Sequence, residues 1–289
     1  MADLYKEYDQ NVLTKLQKME LGILKDFCDL CEKNKINYFG VGGTSIGAVR
    51  HEGFIPWDDD IDIGMLRKDY DKFLCIASKE LNDKYRLLNA ETDSAYPLMS
   101  TRLMLKNTEF REECFKNLPC EMGIFLDLYC FDNISNNQIK MKIEGFRAWF
   151  WGKLMVLCAV AEPVLYIDGW KKTVVLFISK FIHKIFKWFN ITPELFYKRA
   201  KKIITKYKRY RTNRVAYFFD PMPYTSIINV SDILPTKKMK YGDLVVRFPN
   251  NVENYLEKRY GDYMKLPSED KRHNHPPYKL DFGIYNDEE

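Results

Sequence analysis

The chain has 289 residues, 46% hydrophobic and 29% charged, with 45 Lys and Arg against 40 Asp and Glu for a net charge of +5. That composition supplies a full core and excludes wholesale disorder, and no run of about 18 apolar residues offers a conventional membrane span. The opening residues lack a basic-then-apolar leader pattern and the seven cysteines are scattered, so the expectation is a cytoplasmic protein with reduced thiols.

Leu13, Leu16, Leu24, Phe27 and Leu30, three to four apart or multiples of it, predict an amphipathic helix over 9–33. Cys28 and Cys31 form a CxxC inside it. Without a second CxxC they read as two thiols on a helix face, not a zinc site. A short buried strand follows over 38–41, then a tight turn at Gly42-Gly43-Thr44, a helix over 45–50 and a loop over 51–57. Period-two alternation predicts a strand over 60–65, and a helix follows over 68–81. Further strands are expected at 85–89, 100–105 and 123–129. Residues 137–210 read as helical, interrupted at Pro163 and Pro193. A strand at 244–248, a helix over 251–260 and a loose tail at 286–289 close the chain. The expected fold class is α+β, in three parts. Residues 1–136 form the N-terminal helix and core, 137–215 a basic helical insertion, and 216–289 a part that packs back on the core.

The chemistry concentrates in Trp57-Asp58-Asp59-Asp60-Ile61-Asp62-Ile63. On a strand, Asp60 and Asp62 would project from one face, roughly 7 Å apart. Flanking Ile61 and Ile63 imply a packed strand, where unpaired carboxylates are costly. Carboxylates so placed suit one or two hard divalent cations, Mg²⁺ or Mn²⁺. Asp58 and Asp59 also fit a solvated turn or helix cap. Upstream, Gly42, Gly43 and Thr44 open a helix whose N-terminus favours an anion. Asp127 adds a carboxylate inside an apolar run. A Gly-Gly turn, an Asp pair and a third carboxylate on a neighbouring strand are the arrangement of polymerase-beta-like nucleotidyltransferases, which predicts a mixed-sheet catalytic core of that type.

The run from Gly42 to Gly64, Gly-Gly-Thr-Ser-Ile-Gly-Ala-Val-Arg-His-Glu-Gly-Phe-Ile-Pro-Trp-Asp-Asp-Asp-Ile-Asp-Ile-Gly, resembles the signature of the LicD family. Phe125-Leu126-Asp127-Leu128 and the stretch from Phe248 to His273 resemble it more weakly. The similar segments cover roughly 15–132 and 241–275. The resemblance implies a phosphotransferase that moves phosphocholine from CDP-choline to a hydroxyl of a cell-surface glycan precursor, of teichoic acid or lipo-oligosaccharide type, releasing CMP. It makes Asp60 and Asp62 catalytic metal ligands and Asp58 an additional one. Asp127 becomes a third ligand or the base for the acceptor hydroxyl. Gly42, Gly43 and Thr44 would contact phosphate. Arg50 and His51 would neutralise the diphosphate, although Arg50 could instead pair with the Asp cluster and His51 be a loop residue. Trp57 would stack on a base, cover a quaternary ammonium or pack in the core. Arg102 and Arg111 are further phosphate contacts; His273 and His275 are weaker ones. Another phospho-alcohol or a nucleotidyl group could replace phosphocholine, and a silent glycan- or lipid-binding module is the non-enzymatic alternative.

The charge is uneven. Residues 171–214 hold 14 Lys and Arg against Glu194 alone, a local charge of +13. Over 174–189 a broad apolar face carries a narrow basic stripe, which fits either a solvated helix packed on the core or a helix lying on an anionic membrane. A lipid-linked glycan acceptor would agree with the second, placing the protein peripherally on the inner membrane face. No nucleic-acid module accompanies the basic block, so nucleic acid is not the expected partner.

Overall fold

The computed structural model describes residues 7–165, 167, 169–269, 272 and 274–286. His273 and residues 287–289 of the tail lie outside the described residues.

Helix α1 (Gln10–Lys33) starts at Asp9, whose side chain accepts the Asn11 and Val12 amides at 2.9 and 3.2 Å. It buries Leu13, Leu16, Ile23, Leu24 and Phe27 and stops at Asn34 and Lys35, the latter at positive φ. Cys28 and Cys31 are buried there, and burial pushes the Cys28 thiol up to about 11. Next come β1 (Phe39–Gly40), α2 (Gly42–His51), β2 (Asp62–Leu66), α3 (Arg67–Glu80), β3 (Tyr85–Leu88), β4 (Thr101–Leu105), β5 (Glu109–Glu112) and β6 (Phe125–Asn133). The helical insertion is α4 (Gln138–Ala159), α5 (Trp170–Trp188) and α6 (Pro193–Ile204). Then follow β7 (Arg214–Tyr217), β8 (Ser226–Asn229), α7 (Val230–Ile233), β9 (Lys237–Tyr241), β10 (Leu244–Phe248), α8 (Val252–Tyr260) and β11 (Pro277–Asp281).

The main sheet is mixed and seven-stranded, in the order β1-β2-β6-β4-β3, with β7 on the far end of β6 and β8 on β7. Only β2 and β6 run parallel; β4, β1 and β7 pair antiparallel with their neighbours. β6 is central and almost wholly buried, as its apolar run requires. β9 and β10 form a hairpin, and β11 pairs with β5. The architecture is α+β. The boundary expected between residues 215 and 216 falls inside β7, because that strand extends the core sheet.

Two small hydrophobic clusters join the insertion to the rest of the chain, one around Met141, Ala148 and Ala216 and one around Ala90, Met155 and Phe196. Trp151 stacks on Phe196 at 5.9 Å, and Phe186 meets the same ring at 5.2 Å. Pro193 opens α6, where its missing amide costs nothing. His183 Nδ1 lies 2.7 Å from the Leu157 carbonyl, tying α5 to α4.

Candidate active site

Three strands bring the polar groups abreast. In the parallel β2–β6 register Asp62 lies opposite Asp127, one strand spacing of about 4.8 Å away. In the antiparallel β6–β4 register Asp127 lies opposite Arg102. Asp62 Oδ1 and Asp127 Oδ1 are buried and have no hydrogen-bond partner. Arg102 Nε is 3.5 Å from Asp127 Oδ1.

The strand begins at Asp62, so Asp60 sits in the lead-in and does not share a strand face with Asp62. That lead-in is fixed from outside. The Asp127 amide donates to the Ile61 carbonyl at 3.0 Å, and Gln17 Nε2 donates to the Asp58 carbonyl at 2.8 Å. Tyr8 Oη donates to Asp59 Oδ2 at 2.6 Å, and the His275 amide lies 2.8 Å from both Asp59 oxygens. His275 Nδ1 is 3.3 Å from Asp60 Oδ2. Asp58 and Asp59 are therefore buried, not solvated turn residues. Tyr8, Gln17 of α1, Arg272 and His275 together hold the loop.

Burial and mutual repulsion hold the Asp58, Asp60, Asp62 and Asp127 carboxyls above their usual range. Asp58 is raised well above it by burial, then by Asp60, Asp59 and Asp62. Asp62 is likewise raised by burial, Asp60 and Asp127. Burial raises Asp60 against the opposing pull of His275. Asp127 is pushed up to about 6 by burial, with Arg102 opposing. The site carries more negative charge than its surroundings balance.

The glycines have a specific task. α2 starts at Gly42, so Gly42-Gly43-Thr44 is its first turn and not a separate one. Gly42 has φ +58°, and a Cβ there would lie 2.5 Å from Asp62 Oδ2. A Cβ on Gly43 would lie 2.7 Å from Asp58 Oδ2. The pair thus lets two carboxylates approach the positive end of α2. The Gly42 amide donates to Tyr255 Oη at 3.0 Å, and Thr44 Oγ1 accepts the Asp62 amide at 2.8 Å.

The remaining expected contacts divide. Arg50 donates from Nε to His51 Nε2 and from Nη1 to the Tyr263 carbonyl, each at 2.9 Å, and it feels the charge of Asp58. Burial and Arg50 lower the His51 pKa. Trp57 is half-buried with the Arg272 guanidinium 4.4 Å from its ring centre. Arg102 is buried, paired with both Glu112 oxygens at 3.1 and 2.5 Å, and 3.7 Å above the Phe125 ring. It stands beside Asp127 and not in open space. Arg111 binds the carbonyls of Phe115, Leu118 and Cys120, so it orders a loop instead of awaiting a phosphate.

Sequence reasoning passed over Glu20. It is buried on α1, neither oxygen has a partner, and burial followed by repulsion from Asp60, Asp59 and Asp58 raises it well above the usual range. Its spacing was the available signal: Leu16, Glu20, Ile23 and Leu24 share one helix face. Tyr129, whose hydroxyl opposes the rise at Asp62, was also passed over.

Among the described residues, no three His, Cys, Asp or Glu side chains already stand as a metal cage. The donor chemistry nevertheless fits a hard divalent cation: carboxylate oxygens only, two of them orphaned, with unbalanced charge.

Residues 35–120 match the family model described as LicD/FKTN/FKRP, nucleotidyltransferase domain. The chain is 38% identical over 124 residues to the lipopolysaccharide cholinephosphotransferase LicD of Haemophilus influenzae, covering 43% of this chain and 46% of that protein. It is 51% identical over 47 residues to uncharacterized proteins of Rickettsia prowazekii and Rickettsia typhi, covering 16% of this chain and 18% and 15% of theirs. The matched segments thus span less than half the length of each of these relatives.

Proposed function

We propose that this protein is a metal-dependent phosphocholine transferase with a nucleotidyltransferase-like core. In this reading it moves phosphocholine from CDP-choline to a hydroxyl of a cell-surface glycan precursor and releases CMP. The observation that carries the reading is the Asp62–Asp127 pair, level across parallel strands with one orphaned oxygen each, Asp62 lying inside the segment that matches the family model.

Asp60, Asp62 and Asp127, with Asp58, would hold Mg²⁺ or Mn²⁺. When bound, the cation supplies charge stabilisation for the diphosphate and the CMP leaving group. The acceptor oxygen bonds to the phosphorus bearing choline as the bond from that phosphorus to the CMP oxygen breaks. Asp127 is the third ligand or the base that takes the hydroxyl proton; its raised pKa suits a group that binds and releases protons near neutrality. Arg102 holds Asp127 in place. Arg50, near Asp58, is the α2 cation that would meet the diphosphate. Trp57 already receives a guanidinium on its ring, the same attraction a trimethylammonium would use. The acceptor is a glycan of lipopolysaccharide or teichoic acid type, presented on a lipid carrier.

The test is CMP release from CDP-choline with Mg²⁺ and a crude lipid-linked glycan fraction, beside Asp60→Ala. Release that needs metal and acceptor and vanishes in the variant supports the reading. Release from CDP-ribitol or CDP-glycerol but not CDP-choline replaces the donor. No release from any of the three contradicts it.

A further inference from the structure

α5 has two apolar faces. Ser179 and His183 are buried on the inner one, where Phe186 packs on Phe196. On the outer one, Trp170, Val174, Phe177, Phe181 and Trp188 follow in steps of four, three, four and seven, a single line along a helix. Trp170 is 74% exposed, Phe177 72%, Phe181 60% and Trp188 84%. Large aromatics held this far into water need an occupant for that face. Lys180, Lys184 and Lys187 are exposed along one flank of the line, and α5 contains no acidic residue. α4 repeats the pattern: Ile139, Ile143, Phe146 and Phe150 are exposed, with exposed Lys140, Lys142 and Arg147 among them.

We infer that the outer face of α5, aided by α4, docks the protein on an anionic lipid bilayer. The charge decides the occupant. The segment 171–214 carries +13, so a second copy would bring the same charge against it, whereas anionic headgroups complement it. Trp and Phe between lysines are the side chains of a helix lying in the interface, with aromatic rings at the acyl boundary and ammonium groups reaching the phosphates. Among the described residues no helix is long and apolar enough to cross a membrane, so the contact lies in the membrane plane. Both inserted and charged groups are needed, so binding should be salt-sensitive without being abolished by salt.

The test is sedimentation of the full chain with vesicles of phosphatidylcholine alone or with 30% phosphatidylglycerol, about the anionic fraction that gives a strong surface potential. Two triple variants accompany it: Phe177→Ser with Phe181→Ser and Trp188→Ser, and Lys180→Gln with Lys184→Gln and Lys187→Gln. All six side chains are exposed, so circular dichroism should confirm the native fold in both. The expected result is binding to the anionic vesicles, a blue-shifted tryptophan emission, and a loss on the order of a hundredfold in the lysine variant and at least as large in the aromatic one. Absence of vesicle binding, or binding that neither variant weakens, overturns the inference. A dimer that the aromatic variant dissolves, with no vesicle binding, overturns it in favour of a second copy. Vesicle binding is read without turnover, so it stands or falls apart from the catalytic proposal.

Discussion

The two ends of β2 and β6 treat buried charge in opposite ways. At one end Asp62 and Asp127 stand level; Arg102 Nε reaches Asp127 Oδ1 only at 3.5 Å, and Asp62 Oδ1 is buried without a hydrogen-bond partner. At the other, Arg67, where α3 begins, closes on Asp132 with bonds of 2.8 and 2.7 Å, and Asp71 takes a third at 3.2 Å. Burial raises Asp132 while Arg67 pulls it back. The same scaffold thus carries a fully compensated pair that holds helix to sheet and a partly compensated carboxylate pair that works against the fold. Burying like charges is unfavourable without a partner. Such a pair beside the α2 N-terminus is the observation on which the proposed site rests.

The comparison makes opposite predictions for its two ends. The largest effect is expected for Asp62→Ala. Transfer should fall by a thousandfold or more, as for loss of a major charge-stabilising group, while the metal-free melting temperature holds or rises because one repelling carboxylate is gone. A metal-free variant that melts well below the wild type would break the comparison. Arg67→Met should do the reverse, lowering unfolding free energy by about 3–5 kcal/mol through the unpaired Asp132; a denaturant titration measures it.

Glu20→Leu sharpens the point away from the reacting groups. The Glu20 carboxyl is held well above its ordinary 4.5 in the folded state, so the folded protein binds more protons than the unfolded chain above that value, and stability falls as pH rises through it. Replacing it with leucine should add about 1–3 kcal/mol at pH 8 and less at pH 5. Equal gains at both pH values would contradict a buried, proton-holding carboxyl. The smallest change is expected for Gly43→Ala, about 1 kcal/mol or less in stability. Its Cβ would press on Asp58 Oδ2 from 2.7 Å, and that side chain can yield. Donor KM should rise more than stability falls.

What the sequence revealed follows from where the signals are local. α1, α3, α8, β3, β4 and β10 were legible because apolar spacing and caps reside within each segment. Asp60, Asp62 and Asp127 stood out as candidates because acidic groups inside apolar runs have few structural uses, and Gly42 and Gly43 because adjacent glycines permit close backbone approach. β5, β7, β8, β9 and β11 were not. β9, Lys237–Tyr241, is largely polar and exists through its hairpin partner, and β11 exists through pairing with a strand far away in sequence. The site's setting was hidden for the same reason. That the glycines admit carboxylates, that Asp59 is an anchor and that Arg102 serves Asp127 depend on contacts between distant segments. Pairing also moved the start of β2 to Asp62, which no alternation pattern could reveal.

The most direct measurement is a Mn²⁺ titration of the purified protein followed by electron paramagnetic resonance, comparing wild type with Asp62→Asn and Asp127→Asn. If the unbalanced carboxylates are a cation site, the wild type binds Mn²⁺ saturably, Mg²⁺ competes, and each variant weakens binding at least tenfold. Absence of saturable binding, or binding that both variants retain, would contradict it.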